Sequence, residues 1–179
     1  MIRRFCVAGV FKSEGDTMTK TIAVAGKGGT GKTTISALII DYLARRQKGS
    51  VLAIDADPST NLNLALGVPL TDTVGDVREE TATAVGGGKA LGGMSKWDYL
   101  DMRISEALVE ENAFDLLAMG RPEGPGCYCA ANNILRTSVD RLSDAYDYVV
   151  IDNEAGLEHL SRRTTRDVDV LFVVSDPSL

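Results

Sequence analysis

The sequence predicts an α/β protein built on a doubly wound, mostly parallel sheet. Three observations carry that expectation. Apolar-rich runs of strand length recur at 21–25, 51–54, 114–119, 146–151 and 168–174. The second of them, Val51-Leu52-Ala53-Ile54, holds no polar residue, the pattern of a strand covered on both faces. A glycine-rich loop separates the first run from a helical pattern, and aspartates stand just past the second and fourth runs. In doubly wound sheets the edge at the carboxyl ends of the strands holds the ligand.

Size and charge narrow the class. A chain of 179 residues can hold one core-bearing domain. Hydrophobic content is an ordinary 44%, and a formal net charge of −6 argues against charge-driven binding to nucleic acid or anionic membranes. No apolar run reaches membrane-spanning length, so no stable membrane insertion is expected. Three cysteines, two of them one residue apart, do not look like a disulfide framework, and a reducing, cytoplasmic setting is the simpler reading.

Residues 1–17 fit this plan poorly. Ile2, Arg3 and Arg4 followed by Phe5 to Phe11 imitate a signal peptide, but the apolar run is short, includes Gly9 and ends at Lys12 without a small-residue cleavage pattern. Met18 stands just before the first strand. The expectation is a doubtful leader or disordered arm over 1–17 and a nucleotide-binding domain over 18–179. Cys6 lies in the leader and has no assigned role.

The first strand runs into Gly26-Lys27-Gly28-Gly29-Thr30-Gly31-Lys32-Thr33-Thr34. Two motifs overlap there. Gly26, Gly31, Lys32 and Thr33 match G-x-x-x-x-G-K-[ST], a phosphate-binding P-loop; Gly26, Gly28 and Gly31 match the dinucleotide fingerprint G-x-G-x-x-G. Both let backbone N–H groups approach phosphate at a helix N-terminus. Lys32 and Thr33 decide between them. An ammonium for the β- and γ-phosphates and a hydroxyl for Mg²⁺ serve ATP, whereas a dinucleotide fold needs neither. Lys27 either reaches a ligand or is an exposed loop lysine.

A helix over 32–47 follows, with Ile35, Leu38, Ile39 and Leu43 at helical spacing and Gly49 to end it. The strand over 51–54 runs into Asp55-Ala56-Asp57-Pro58-Ser59-Thr60-Asn61. Those residues suit a turn, with Asn61 capping the next helix; they also place two carboxylates at the ligand edge. A short helix over 73–80, a glycine-rich linker over 86–93 and a helix over 97–110 with Tyr99, Leu100, Ile104 and Leu108 on its apolar face come next. The third strand leads into Gly120-Arg121-Pro122-Glu123-Gly124-Pro125-Gly126-Cys127-Tyr128-Cys129, then a helix over 130–142. Apolar residues followed by Asp152 give the fourth strand a Walker B ending, with Gly156 close enough in sequence to offer a backbone N–H to the γ-phosphate. Glu154 has no role in this scheme.

The loop Lys27-Gly28-Gly29-Thr30-Gly31-Lys32-Thr33-Thr34 resembles the deviant Walker A motif of the family that contains nitrogenase iron protein and the partitioning and septum-site ATPases. The resemblance implies a dimer sandwiching two ATP, with Lys27 reaching the nucleotide of the other subunit. Asp-x-Asp-Pro-x-x-Asn over 55–61 is similar to that family's switch I. It implies that Asp57 positions or activates the attacking water and that Asp55 and Asp57 help hold Mg²⁺; the Walker B ending adds Asp152 as a Mg²⁺ contact through water. Lys27, Lys32 and Asp57 are thus the expected catalytic residues. Gly28, Gly29, Thr30, Gly31, Lys32, Thr33, Thr34 and Gly156 are expected to hold nucleotide.

Cys127 and Cys129 project from one face of an extended backbone and could share one soft-tolerant ion such as Zn²⁺, which wants four ligands. His159, in another segment, offers no ligand spacing and is read as structural or switch-associated. A second copy of the loop completes four sulfurs at a two-fold contact; free loop thiols are the plain alternative. The segments 120–133 and 152–164 resemble the accessory ATPases that mature carbon monoxide dehydrogenase. That resemblance implies ATP-driven nickel insertion, a Ni²⁺ or Zn²⁺ site at Cys127 and Cys129, a homodimer and the dehydrogenase as client. Members of that family continue with further helices and strands, so the C-terminal part that helps hold the base is expected to be missing. Two other readings stay open: a partitioning or positioning switch acting on DNA or membrane, and a nicotinamide oxidoreductase with Asp55 on the ribose. The last leaves Lys32, Thr33 and the cysteine pair without purpose.

Overall fold

The computed structural model describes residues 6–8, 19–47, 49–86, 93–121, 137, 139–154 and 168–176. Among the described residues seven strands form one sheet: β1 (Cys6–Ala8), β2 (Lys20–Gly26), β3 (Val51–Asp55), β4 (Val109–Glu110), β5 (Asp115–Ala118), β6 (Tyr148–Asp152) and β7 (Val170–Ser175). Their order is β1-β7-β2-β6-β3-β5-β4. The five inner strands run parallel, and the two at the ends, β1 and β4, pair antiparallel with β7 and β5. The doubly wound expectation is met.

Alternation along the strands divides the core. Val51, Ala53, Leu116 and Val150 face helix α1 (Lys32–Arg46) and helix α2 (Leu62–Leu66), where they pack with Ile40, Leu43 and Leu62. Leu52, Ile54, Leu117, Val149 and Ile151 face the other way, onto helices α3 (Val74–Gly86) and α4 (Lys96–Glu106), and meet Val74, Val77, Leu100 and Ile104. Every residue of β3 is buried, as a strand covered on both faces must be.

Several elements depart from expectation for identifiable reasons. Helix α1 puts Leu43 in the core with Ile39 packed against it, as expected, but Leu38 is 59% exposed, and Ser36 and Ile40 are buried. Its end comes at Gln47, which takes the left-handed cap conformation at φ 48°, ahead of Gly49. Helix α4 stops at Glu106, and Val109–Glu110 then pairs with β5 as an edge strand in place of a last helical turn. Helix α3 runs longer than 73–80, to Gly86. Within the segment expected as a leader, Cys6–Ala8 pairs with β7. The helix expected over 130–142 is described only at its end, where 139–143 is helical.

Helix α3 is tied to the sheet at its first turn. The N–H of Gly75 donates to the carbonyl of Met119 at 3.0 Å, and the N–H of Met119 donates to the carbonyl of Asp55 at 2.8 Å. A methyl group on Gly75 would sit 2.5 Å from the carbonyl oxygen of Arg121, which is backbone and cannot swing aside. The α3–α4 pair is closed on its outer side by Arg103, which bonds Glu80 at 2.7 Å and stays mostly solvent-shielded on a partly exposed surface. Gly75→Ala is therefore expected to destabilise the fold by about 1–3 kcal/mol, the range for overpacking; urea denaturation of the variant beside the parent measures it, and an unchanged midpoint contradicts the packing described.

Candidate functional site

Strand β2 ends at Gly26, and its backbone there has φ 154°. A side chain at this position would strike the carbonyl of Val174 on the neighbouring strand β7, so glycine is required where strand becomes loop. The loop is then held from within. The Thr30 hydroxyl donates to the carbonyl of Lys27 at 2.8 Å, and the Lys32 ammonium reaches the same carbonyl at 3.4 Å. Gly29 and Gly31 sit at φ 78° and 97°, conformations that L side chains rarely adopt. Gly31 also serves as N-cap of α1, with no side chain bonding the first N–H groups. Those free donors at a helix N-terminus, beside a buried lysine, make an anion cradle. Lys32 is buried, whereas Lys27, Gly28 and Gly29 are exposed.

Two acidic residues line the same edge. Asp55 on β3 and Asp152 on β6 pair directly in register, and both lie on the α1 side of the sheet. Asp152 accepts the Ser36 hydroxyl at 2.9 Å in a fully buried bond. Burial pushes its carboxyl above the usual carboxylate range, against the hydroxyls of Thr33 and Ser36 and the ammonium of Lys32, which favour the charged form. Asp55 is 1% exposed and spends both oxygens on its own loop, taking the N–H of Asp57 at 3.1 Å and that of Leu62 at 2.9 Å. It therefore caps α2, the task expected of Asn61; Asn61 occupies the N-cap position but makes no side-chain cap bond. Burial raises the Asp55 carboxyl to about 6, outweighing those two N–H donors. Asp57 folds back on its loop and accepts the N–H of Ser59 at 2.8 Å, and Thr60 beside it holds φ 44°, a strained value for a β-branched residue.

The loop following Asp55 and the end of β6 are stitched together. Ala56 donates to the carbonyl of Asp152 at 2.9 Å, and Asn153 donates to the carbonyl of Val24 through its backbone N–H and its side-chain nitrogen, both at 3.1 Å. Ser36 and Asn153 were not singled out by sequence. A helical serine and a turn asparagine carry no local signal of the partners they meet across the sheet. Gly156, Cys127, Cys129 and His159 lie outside the described residues. Thr34 also lines a cavity of about 710 Å³ together with residues of α1, α2 and Phe114.

The fit for Mg²⁺ rests on the donor set. Asp55, Asp57, Asp152 and the hydroxyl of Thr33 are all hard oxygen donors, the kind that ion prefers. Among the described residues no group of three or more His, Cys, Asp or Glu could hold a metal unaided. Mg²⁺ is commonly bound by one or two carboxylates together with substrate phosphates.

A family model described as an AAA domain matches residues 19–179. The chain belongs to this family of P-loop ATPases. It is 54% identical over 157 residues to an uncharacterized ATP-binding protein of Methanocaldococcus jannaschii, covering 88% of this chain and 62% of that protein. It is 34% identical over 172 residues to the carbon monoxide dehydrogenase accessory protein CooC of Rhodospirillum rubrum, covering 87% and 62%. Among solved structures, the septum site-determining protein MinD of Pyrococcus horikoshii, complexed with Mg-ADP, superposes with a TM-score of 0.52 at 27% identity, covering 79% of this chain and 51% of that one. The AAA-domain chain thus spans less than two thirds of the length of these relatives.

Asp55 gives the site a testable pH signature. Its folded pKa lies above its ordinary value, so folding favours the protonated form. The stabilisation is fully present below about pH 4, the ordinary carboxylate value, and is lost as pH rises through about 6. A shift from 3.8 to about 6 corresponds to at most about 3 kcal/mol. Denaturation midpoints of ligand-free protein, measured from pH 4.5 to 7.5, are expected to fall with rising pH more steeply for the parent than for Asp55→Asn. Equal slopes would remove the buried acid from the account.

Proposed function

We propose that this chain is the nucleotide-binding part of an ATP-hydrolysing metallochaperone that serves carbon monoxide dehydrogenase maturation by nickel insertion. The nucleotide half of the reading is carried by one observation: the cradle of α1, with buried Lys32, stands beside the in-register pair of Asp55 and Asp152. The metal half is supported by the 34% identity to the accessory protein CooC and by the sequence around Cys127 and Cys129. The domain is read as beginning near Met18, where the family match also starts, with β1 added to its sheet from the preceding segment.

In this reading the backbone N–H groups of Gly28 to Thr34 and the Lys32 ammonium take the β- and γ-phosphates, as catalysis of phosphoryl transfer by positioning and charge requires. Lys32 gives up its bond to the Lys27 carbonyl to do so, which frees the loop to close on the anion. The Thr33 hydroxyl and the carboxylates of Asp55 and Asp152 hold Mg²⁺, which supplies charge neutralisation at the phosphates. Asp57 leaves the Ser59 N–H and orients the attacking water, and Gly156 donates to the γ-phosphate. Lys27, exposed in the loop, is read as reaching the nucleotide of a second copy in a homodimer. Cys127 and Cys129 from both copies then share a Ni²⁺ or Zn²⁺ ion. Among the described residues no helix is long and apolar enough to cross a membrane, and the protein is read as acting in the cytoplasm.

The second reading is a partitioning or positioning ATPase that uses its nucleotide state to act on DNA or membrane. The structural likeness to the septum site-determining protein favours it. The two readings share the nucleotide site and differ at the cysteines.

Lys32→Ala is expected to weaken ATP binding at least a hundredfold by titration calorimetry, because the cradle loses its only buried ammonium among the described residues; unchanged affinity would overturn the nucleotide site. Metal analysis and sedimentation decide the rest. One Ni²⁺ or Zn²⁺ per two chains, with a shift toward dimer that a Cys127→Ala, Cys129→Ala double variant loses, supports the metallochaperone. A metal-free chain that dimerises on ATP alone supports the positioning switch.

A further inference from the structure

Ser36 has no part in the phosphate-loop motif, yet its hydroxyl makes the one fully buried side-chain to side-chain bond at the described site, to Oδ1 of Asp152 at 2.9 Å. A serine within a helix ordinarily turns to solvent or bonds back to its own helix. This one is fully buried and reaches a strand 116 residues away. It lies one turn after Lys32 on the same buried face of α1. Alanine would suit the helix better, so the hydroxyl answers to Asp152.

The carboxylate it holds has a difficult position. Asp152 stands beside Asp55 in the neighbouring strand, and both are buried. Asp55 draws on two backbone N–H donors of its own loop. Asp152 draws on side-chain donors, the hydroxyls of Thr33 and Ser36, with the Lys32 ammonium near. The reading of the site given above assigns Thr33 to Mg²⁺ and Lys32 to phosphate, and the following step rests on that reading. When ligand takes those two groups, Ser36 is the donor that stays.

The geometry points to Ser36 as a positioning residue for Asp152, occupying Oδ1 so that Oδ2 is presented to the Mg²⁺ of a bound Mg²⁺–nucleotide. Its effect belongs to the metal-bound state. Nucleotide without Mg²⁺ is gripped by the loop amides and Lys32 and has no need of an oriented Asp152. Removing the hydroxyl should spare Mg²⁺-free binding and erode the gain that Mg²⁺ brings.

The test is calorimetric titration of ADP into the full chain, with excess Mg²⁺ and with chelator. The parent, Ser36→Ala and Ser36→Thr are compared, each shown to be folded by circular dichroism. The ratio of the two dissociation constants is the readout, since a purely structural role would weaken both equally. Ser36→Ala is expected to lower that ratio about tenfold with chelator values within twofold of the parent, and Ser36→Thr, which keeps the hydroxyl, to restore most of it. A ratio unchanged in Ser36→Ala, or equal losses in both conditions, overturns the assignment while leaving the nucleotide site intact. A parent chain that binds no ADP overturns both.

Discussion

The burial of two carboxylates side by side at the edge of a dry sheet is the constraint around which this molecule is arranged. Asp55 and Asp152 sit in register on adjacent strands and are almost wholly removed from water. Like charges in such a place repel and lose their hydration, and each must be supplied with donors. The chain meets the demand from two directions. Backbone N–H groups of the 55–62 loop satisfy Asp55, which fixes that loop and starts α2. The first turns of α1 satisfy Asp152 through Ser36 and Thr33, which fixes the cradle against the sheet. The residues that stabilise the charges are therefore the same ones that shape the loops around the phosphate end.

Much of the architecture was legible because it follows from local pattern. Strands buried on both faces must be apolar throughout, and β3 is. The phosphate cradle was legible because its glycines and lysine are consecutive. What escaped is nonlocal. The exposure of Leu38 escaped because it looks like a core residue, and so did the contact between Ser36 and Asp152, which lies far along the chain. Asn61 was a sound choice of cap by residue type, but Asp55 reached the helix first from the end of the preceding strand. Val109 and Glu110 read as helix because the period of α4 carries through them; their pairing with β5 depends on where Leu116 and Asp115 lie.

Backbone bonds also carry the site outward. Asp55 accepts from Met119 through its carbonyl, and Met119 in turn accepts from Gly75 at the start of α3. A rearrangement at Asp55 and Asp57 thus bears on the strand end from which the cysteine-bearing segment departs. In the proposed metallochaperone a backbone hydrogen bond thus ties the nucleotide edge to the strand that precedes the cysteine pair in sequence. Any coupling it supports acts in both directions, with metal favouring nucleotide as much as nucleotide favours metal.

The outermost ribbons of the sheet have a consequence for life in a crowded solution. Among the described residues β4 is two residues long, ends in Glu110 and is followed by Glu111, and β1 at the far side is three residues. Such stubs, with acidic residues at one margin, offer little unpaired backbone for a foreign chain to copy.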